Sequence, residues 1–203
     1  MGELRESKKR ETRQRLSDVA TRLFFERGFD AVTVEEIAAT AQVSKVTVFN
    51  YFPRKEDLFL DREHEVMLFL REALRERPNG EAPSAALRRL VDRLHEQKHP
   101  FARIDNQTAS WWRIVAASPS LKARIREIGD ETADALAIEL GGLKPDGPTR
   151  LVAGMIVLSW RTAYGEGLRV LEGGGSAKKA NSAFIALIDR GFAALRELAT
   201  SPS

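Results

Sequence analysis

The sequence predicts an all-α fold. Apolar residues recur at helical spacing along nearly all of the 203 residues, and no segment shows the strict alternation that is typical of a strand. Prolines, glycines and capping residues interrupt this pattern at intervals that suit helices of ordinary length. Nine helices account for the pattern.

The ends of the first three helices are well marked, and the second and third are short. The first ends at Gly28, because glycine favours the left-handed backbone that closes a helix. Thr33 and Glu36 form a capping box at the start of the second helix. Ser44 caps the third, which ends at Phe52 because Pro53 disfavours helical geometry in the residue before it. The predicted buried faces of the first two are Leu16, Val19, Ala20, Leu23 and Phe24, and then Ile37, Ala38 and Ala41.

Six further helices follow. A long fourth helix is predicted from Arg54 to Arg77, ahead of a proline and a glycine at 78 and 80. Caps, prolines and glycines delimit the others: a fifth from Ser84 to before Pro100, a sixth between Pro100 and Ala117, a seventh from Pro119 to Gly142, an eighth from Pro148 to Gly175, and a ninth after Ser176.

The positive charge is concentrated near the N-terminus. Residues 1–55 contain 11 Lys or Arg and 8 Asp or Glu, whereas the other 148 residues contain 21 of each, so the net charge of +3 lies in the first quarter. Such an asymmetry is typical of a domain that meets a polyanion.

Several protein classes are disfavoured by composition. The chain has no cysteine, which excludes disulfides, zinc ribbons and thiol catalysis and is consistent with a reducing cytoplasm. The charged N-terminus precedes no apolar stretch, and the longest uncharged apolar run, Leu151–Trp160, is half the length that spans a bilayer. We therefore expect a soluble, cytoplasmic protein.

Residues 34–52 predict a helix-turn-helix, with a tight turn at Gln42-Val43-Ser44. The segment VTVEEIAATAQVSKVTVFNYFPRKEDL, residues 32–58, and the preceding ATRLFFERGF, residues 20–29, closely resemble the N-terminal domain of the TetR (tetracycline repressor) family. The resemblance covers about residues 10–60. It implies a three-helix DNA-binding domain at residues 1–55 and a larger helical domain for ligand binding and dimerisation at residues 56–203.

The chain departs from the family pattern at three positions. Gln42 stands where the family usually has glycine in the turn, at a cost of about 1 kcal/mol if that backbone is left-handed. Phe49 replaces the usual Tyr, and Tyr51 replaces a frequent His. These changes bear on phosphate contacts and on the choice of operator, while the fold is expected to be unaffected.

The resemblance also implies which residues contact DNA. Lys45 and Asn50 carry donors for base edges, and Val46 can touch a thymine methyl. The side chains expected at the major groove or its walls are Lys45, Val46, Thr47, Asn50 and Tyr51, and those expected to hold phosphates are Thr33, Ser44, Tyr51 and Lys55. Arg10 and Arg13 are candidates for further backbone or minor-groove contacts. We interpret Phe49 and Phe52 as core residues, and Thr33 and Ser44 as helix caps whatever else they do.

Dimerisation through the eighth and ninth helices is implied by the resemblance. The sequence agrees, because small residues alternate there with large ones, as in a four-helix interface. The core of a monomer can show the same pattern. The small residues are Gly154, Ala163, Gly165 and Gly167 in the eighth helix, and Ala180, Ala183, Gly191 and Ala194 in the ninth.

The ligand-binding residues are less well marked. Aromatic residues and a few polar groups of the second domain offer walls and anchors for a small molecule, although each of them alone is more often a core residue. Our candidates are Trp112 and Trp160, followed by Trp111, Phe69, Asn106 and Tyr164.

His95-Glu96-Gln97-Lys98-His99 matches the HExxH pattern of zinc metalloproteases. Catalysis would require both imidazoles on one helix face and a third ligand. Pro100 places His99 at a helix end, and no third histidine follows. We favour a polar helix end over metal binding, and metal binding over catalysis.

These observations together predict a ligand-responsive DNA-binding transcriptional regulator, specifically a repressor that binds a palindromic operator as a homodimer and is released by a small-molecule effector. We expect no enzyme activity, no cofactor and no metal. Two other classes stay open: a zinc hydrolase based on His95 and His99, and a helical binding module that has lost DNA affinity, as Gln42 could suggest.

Overall fold

The computed structural model describes the backbone of residues 2–200 and the side chains of residues 6–62 and 65–197. All regular structure within these ranges is helical, which confirms the predicted class. The elements are α1 (Gly2–Arg27), α2 (Val34–Thr40), α3 (Lys45–Tyr51), α4 (Lys55–Phe59), α5 (Glu63–Arg75), α6 (Pro83–Glu96), a 3-10 turn (Pro100–Ala102), α7 (Asn106–Ala117), α8 (Pro119–Gly141), α9 (Gly147–Glu172) and α10 (Ala177–Thr200). None of these described helices has the length and apolar character needed to cross a bilayer.

Cap chemistry sets the first helix boundaries, as predicted. Gly28 follows α1 with a φ of 86°, in the left-handed region. At the start of α2 the Glu36 amide donates to the Thr33 hydroxyl, and the Thr33 amide donates to the Glu36 carboxylate. The Ser44 hydroxyl accepts from the Thr47 amide at the start of α3. These predictions are confirmed because each depends on residues a few positions apart.

The prediction of one long fourth helix from Arg54 to Arg77 is wrong. The backbone leaves helical geometry at Leu60, and the segment divides into α4 and α5. Leu58, Phe59 and Leu60 are all buried. Successive residues of a helix point about 100° apart, so a straight helix cannot direct three consecutive side chains into one core. The break brings the described total to ten helices.

The chain divides into two compact units. The first comprises Met1–His64 together with Trp111–Ile125, and the second comprises Glu65–Ser110 together with Arg126–Ser203. The end of α7 and the start of α8 thus belong to the same unit as α1–α4. The boundary after residue 55 remains a prediction about which part of the chain acts as the DNA-binding domain.

Aromatic stacking joins α7 to the core of the first unit. Phe59 packs with Phe24 and Phe29, at ring-centroid distances of 5.6 and 6.3 Å. On its other side the Phe59 ring stacks on Trp111, with centroids 5.1 Å apart and planes inclined by 10°. Trp111 is therefore a packing residue of the first unit.

Two polar contacts hold the start of α8 to the same unit. The Ser118 hydroxyl donates to a carboxylate oxygen of Asp30 at 2.9 Å. The Arg124 guanidinium donates through Nε to Asp57 Oδ1, also at 2.9 Å, and both side chains are about nine-tenths buried. A buried pair of this kind is costly to break, because the remaining charge has no water to solvate it.

Close packing of α9 against α10 organises the second unit. A Cβ at Gly167 would lie 2.8 Å from the Ile104 side chain and 3.1 Å from the Ala180 carbonyl oxygen, and one at Gly191 would collide with Ser159. Ala163 and Ala180 are fully buried. Half of the small residues that suggested a dimer interface therefore serve packing within one protomer: Ala163, Gly167, Ala180 and Gly191.

Replacing Asp57 by Asn should destabilise the first unit. Asp57→Asn removes the carboxylate charge from the buried Arg124–Asp57 pair, so we expect the free energy of unfolding to fall by about 3 kcal/mol in urea titration. Glu26→Gln is the control, because Glu26 pairs with Arg22 on the exposed side of α1, and the expected loss is about 0.5 kcal/mol or less. Equal losses in the two variants would contradict the role of the buried pair.

Candidate nucleic-acid interface

The turn between α2 and α3 closes α2 with paired hydrogen bonds. The Val43 amide donates to the Ala38 carbonyl at 2.9 Å, and the Gln42 amide donates to the Ala39 carbonyl at 3.1 Å. This is a Schellman closure, which requires a left-handed residue. Gln42 takes that conformation with a φ of 56°. The condition under which the sequence predicts a cost at Gln42, a left-handed backbone, is therefore met.

Two buried residues anchor α3, and most of its other residues are exposed or half-buried. Val48 is fully buried and Phe52, at the end of the helix, is 1% exposed. These residues are four positions apart and therefore lie on one face. Lys45, Val46 and Asn50 are exposed, and Thr47 and Tyr51 are half-buried. We call α3 the reading helix, because its predicted base-contacting residues lie outside the core.

The interpretation of Phe49 as a core residue is wrong, whereas that of Phe52 is confirmed. Phe49 is 40% exposed. It follows Val48 directly and is rotated by about 100° from the anchored face, so it cannot share the burial of Val48. The Lys45 ammonium lies 5.8 Å from the centre of its ring. The position of Phe49 directly after Val48, which points into the core, could have identified Phe49 as an exposed aromatic residue.

Thr33 and Ser44, the predicted phosphate contacts at helix starts, act as caps and are exposed. The pKa of the Glu36 carboxyl is lowered, first by the hydrogen bond from the Thr33 amide and then by Arg27, so the capping box is ionised at neutral pH. Phosphate contact by these residues remains a prediction.

Lys55, another predicted phosphate contact, is directed toward the protein. Its ammonium donates to the Phe29 carbonyl at 2.6 Å and lies 4.3 Å from the centre of the Phe29 ring. Partial burial lowers the pKa of this ammonium, opposed by the charge of Asp30. In this conformation Lys55 joins the start of α4 to the segment that follows α1, and its contact with phosphate stays a prediction.

Arg13 also makes internal contacts, which the sequence did not indicate. Its guanidinium donates to the Tyr51 carbonyl at 2.8 Å, pairs with the Asp61 carboxylate, and lies 4.3 Å from the centre of the Phe52 ring. Arg13 thereby fixes the end of the reading helix against α1 and the α4–α5 break. Arg10, by contrast, is exposed on α1.

Lys45 is paired with a carboxylate of the preceding helix. Its ammonium donates to Glu35 Oε1, so the pair links the first turns of α2 and α3. Both side chains are more than half exposed. The hydrogen bond from Lys45 is the main cause that lowers the pKa of the Glu35 carboxyl. Sequence reasoning missed Glu35, although an acid ten residues before a predicted base-reading lysine was visible.

The predicted ligand-binding residues are divided between the two units. Trp111 and Trp112 belong to the first unit, where their rings meet edge to face at 5.0 Å. In the second unit Trp160 donates to the Phe101 carbonyl at 3.1 Å, and the Tyr164 hydroxyl donates to the Pro100 carbonyl at 2.8 Å.

The last two candidates also lie in the second unit. Phe69 packs edge to face on His99, and Asn106 is exposed at the start of α7. An open groove of about 650 Å³ in that unit has none of the six candidates in its lining; its polar lining includes His95, Glu96, Lys98, Arg103, Lys178 and Asn181. A role of the six candidate residues in ligand binding remains a prediction.

The two histidines of the HExxH match do not share a helix. α6 ends at Glu96, and Lys98 takes a φ of 56°, which turns the chain before His99. His95 Nδ1 lies 2.7 Å from the Ala102 carbonyl oxygen, and His99 accepts from the Phe101 amide and stacks on that ring. No group of three potential metal ligands occurs among the described side chains. The geometry that zinc hydrolysis needs at this motif is not formed.

The segment that contains this site is similar to known regulatory proteins. The sequence model for "Bacterial regulatory proteins, tetR family" matches residues 16–61, which include the whole of α2, the turn and α3. The HTH-type transcriptional regulator TcmR of Streptomyces glaucescens is 31% identical over 139 residues. That alignment covers 66% of this chain and 61% of TcmR, less than two thirds of the relative.

Solved structures share the fold over most of the chain. SmeT in its complex with triclosan superposes with a TM-score of 0.57 at 20% identity, covering 91% of both chains. A TetR-family regulator from Mesorhizobium loti superposes with a TM-score of 0.51 at 19% identity, covering 92% of this chain and 97% of that one. At these identities the likeness concerns the fold alone.

Glycine at position 42 should stabilise the turn. Gln42→Gly removes the Cβ that strains a left-handed residue, so we expect the free energy of unfolding to rise by about 1 kcal/mol, net of the greater entropy of the unfolded chain. Gln42→Ala is the matched control, since it removes the amide but keeps the Cβ. A gain in Gln42→Ala equal to that in Gln42→Gly, measured by urea unfolding, would show that strain at the Cβ is not the cause.

Proposed function

We propose that this chain is a DNA-binding transcriptional repressor of the TetR family, whose sequence model matches residues 16–61. It binds a palindromic operator as a homodimer in the bacterial cytoplasm and leaves it when a small molecule binds. The observation that carries this proposal is the reading helix, which is anchored by Val48 and leaves Lys45 and Asn50 exposed.

In the proposed complex the reading helix enters the major groove. Lys45 donates to guanine edges and Asn50 pairs with adenine, while Val46, 70% exposed, contacts thymine methyls. Thr47 and Tyr51 face the groove wall. Thr33, Ser44 and Lys55 hold phosphates and set the register of the protein on the duplex. Phe49 joins this surface as an apolar contact, which follows from its exposure.

We propose that a face of α9 forms the dimer interface. Leu151 and Leu158 are seven residues apart, lie on one side of the helix, and are at least half exposed. A Cβ at Gly154 or at Gly165 would meet nothing within the protomer. This face, with exposed Arg161 between Leu158 and Gly165, offers a largely apolar surface to the same face of a second copy.

Release follows from a change in the spacing of the two reading helices. A dimer on a palindromic operator places them about one turn apart, ~34 Å. An effector that favours a different spacing displaces the protein, and it must prefer that state by about 5.5 kcal/mol for a nearly complete switch. SmeT forms a complex with triclosan, which supports a small-molecule effector for a chain of this fold.

Removing the Lys45 ammonium should relax the base preference. Lys45→Ala is expected to weaken binding to the preferred duplex, obtained by in vitro selection, by about tenfold and to flatten discrimination at one base pair. Lys55→Ala is expected to weaken binding evenly across sequences. Fluorescence anisotropy on the selected duplex and its single-base variants measures both. If neither variant changed affinity or preference, the assignment of these residues would fail.

A charge on the outward face of α9 should dissociate the dimer. Leu158→Glu buries a carboxylate at the centre of the proposed interface, so dimerisation should weaken on the order of 100-fold, as measured by analytical ultracentrifugation. Leu68→Glu is the matched control, because Leu68 is a similarly exposed leucine on α5. If the Leu158→Glu variant stayed dimeric and the Leu68→Glu variant dissociated, the dimer interface would not lie on this face of α9.

A further inference from the structure

The Glu35–Lys45 pair places a negative charge beside the predicted base reader. Glu35 lies in the first turn of α2 and Lys45 is the first residue of the reading helix. The ammonium is held between the Glu35 carboxylate and the Phe49 ring. Three side chains on two helices thus fix the location of one cation on the surface proposed to meet DNA.

The Glu35 side chain contributes little to the fold itself. The capping box of α2 is made by Thr33 and Glu36, so Glu35 is not needed as a cap. Its side chain is 60% exposed, and exposed ion pairs add little to folding stability. Lys45 keeps the pKa of Glu35 low, so this side chain carries its charge at neutral pH. Its electrostatic effect on a bound polyanion is therefore separable from protein stability.

The carboxylate acts differently on the two kinds of DNA complex. Binding to arbitrary sequences relies on contacts between cations and phosphates. In such a complex Glu35 competes with phosphate for Lys45 and repels the backbone. On the preferred sequence a guanine edge offers Lys45 two acceptors with defined geometry, deep in the groove and away from the carboxylate. The contact between Lys45 and the base then offsets the unfavourable electrostatic effect of Glu35 on DNA binding.

We propose that Glu35 is a specificity-determining residue that restrains Lys45 from phosphate, so that this lysine contributes affinity mainly where a matching base is present. The inference rests on the proposed function, because it assumes that α3 reads DNA. Glu35 acts through Lys45 and is a positioning residue. Its removal increases binding to non-operator DNA more than binding to the operator.

The test uses Glu35→Gln, which keeps the size of the side chain and removes its charge. Two duplexes of equal length are compared by fluorescence anisotropy over a range of salt: one of random sequence, and the one preferred in selection with the unaltered protein. On random sequence we expect affinity to rise about three- to tenfold. The slope of log affinity against log salt concentration should steepen by the amount that corresponds to about one more counterion released per protomer. On the preferred duplex we expect less than about a twofold change, so that the specificity ratio falls.

Two further variants separate this effect from general charge. Glu26→Gln makes the same charge change in another exposed pair, Arg22–Glu26, and is expected to leave the specificity ratio unchanged. In a Lys45→Ala background, Glu35→Gln should no longer change the ratio, because the restrained cation is gone. Both results support action through Lys45.

The outcomes distinguish the two proposals. If Glu35→Gln raised affinity equally for both duplexes, or altered neither, the inference about Glu35 would be overturned while the DNA-binding function stood. If the effect persisted in the Lys45→Ala background, action through Lys45 would be excluded. A selection with the unaltered protein that yielded no preferred duplex would overturn the proposed function, and this inference with it.

Discussion

Burial of Val48 and Phe52 is the constraint on which the proposed interface depends. A helix of seven residues is not stable alone in water, so α3 exists because one face is fixed in a core. That anchoring decides which residues are exposed, and it places Phe49 outside. It also makes the α2–α3 turn obligatory, which is why strain at Gln42 is tolerated. Arg13 completes the arrangement by holding the carbonyl at the end of the same helix.

The parts of the fold that depend on neighbouring residues could be predicted from the sequence. Caps at Thr33 and Ser44 and the left-handed turn at Gln42 follow from local chemistry, as does the all-α class from periodicity. The α4–α5 break could not, because it depends on a core that needs Leu58, Phe59 and Leu60 together. The apolar pattern alone continues through the break, and nothing local marks it.

The parts that pattern reasoning missed are contacts between distant residues. Phe59 stacks on Trp111 and Asp57 pairs with Arg124, across 52 and 67 positions of sequence. The small residues of α9 and α10 show the same difficulty, since Gly191 serves contact within the protomer while Gly154 faces outward. Composition indicates that helices approach closely, but not whether the neighbour is in the same chain.

Charge counting has a similar limit in the first unit. The excess of three positive charges in residues 1–55 suggests affinity for a polyanion. Several of these cations are bound within the protein: Arg13 to Asp61, Arg27 to Glu36, Lys45 to Glu35 and Lys55 to the Phe29 carbonyl. A cation that is paired within the protein must leave its intramolecular partner before it can bind a phosphate or a base of DNA. The counterions released on binding are then fewer than the sequence count implies. Discrimination between sequences therefore depends more on the fit of the reading helix in the groove than on net charge.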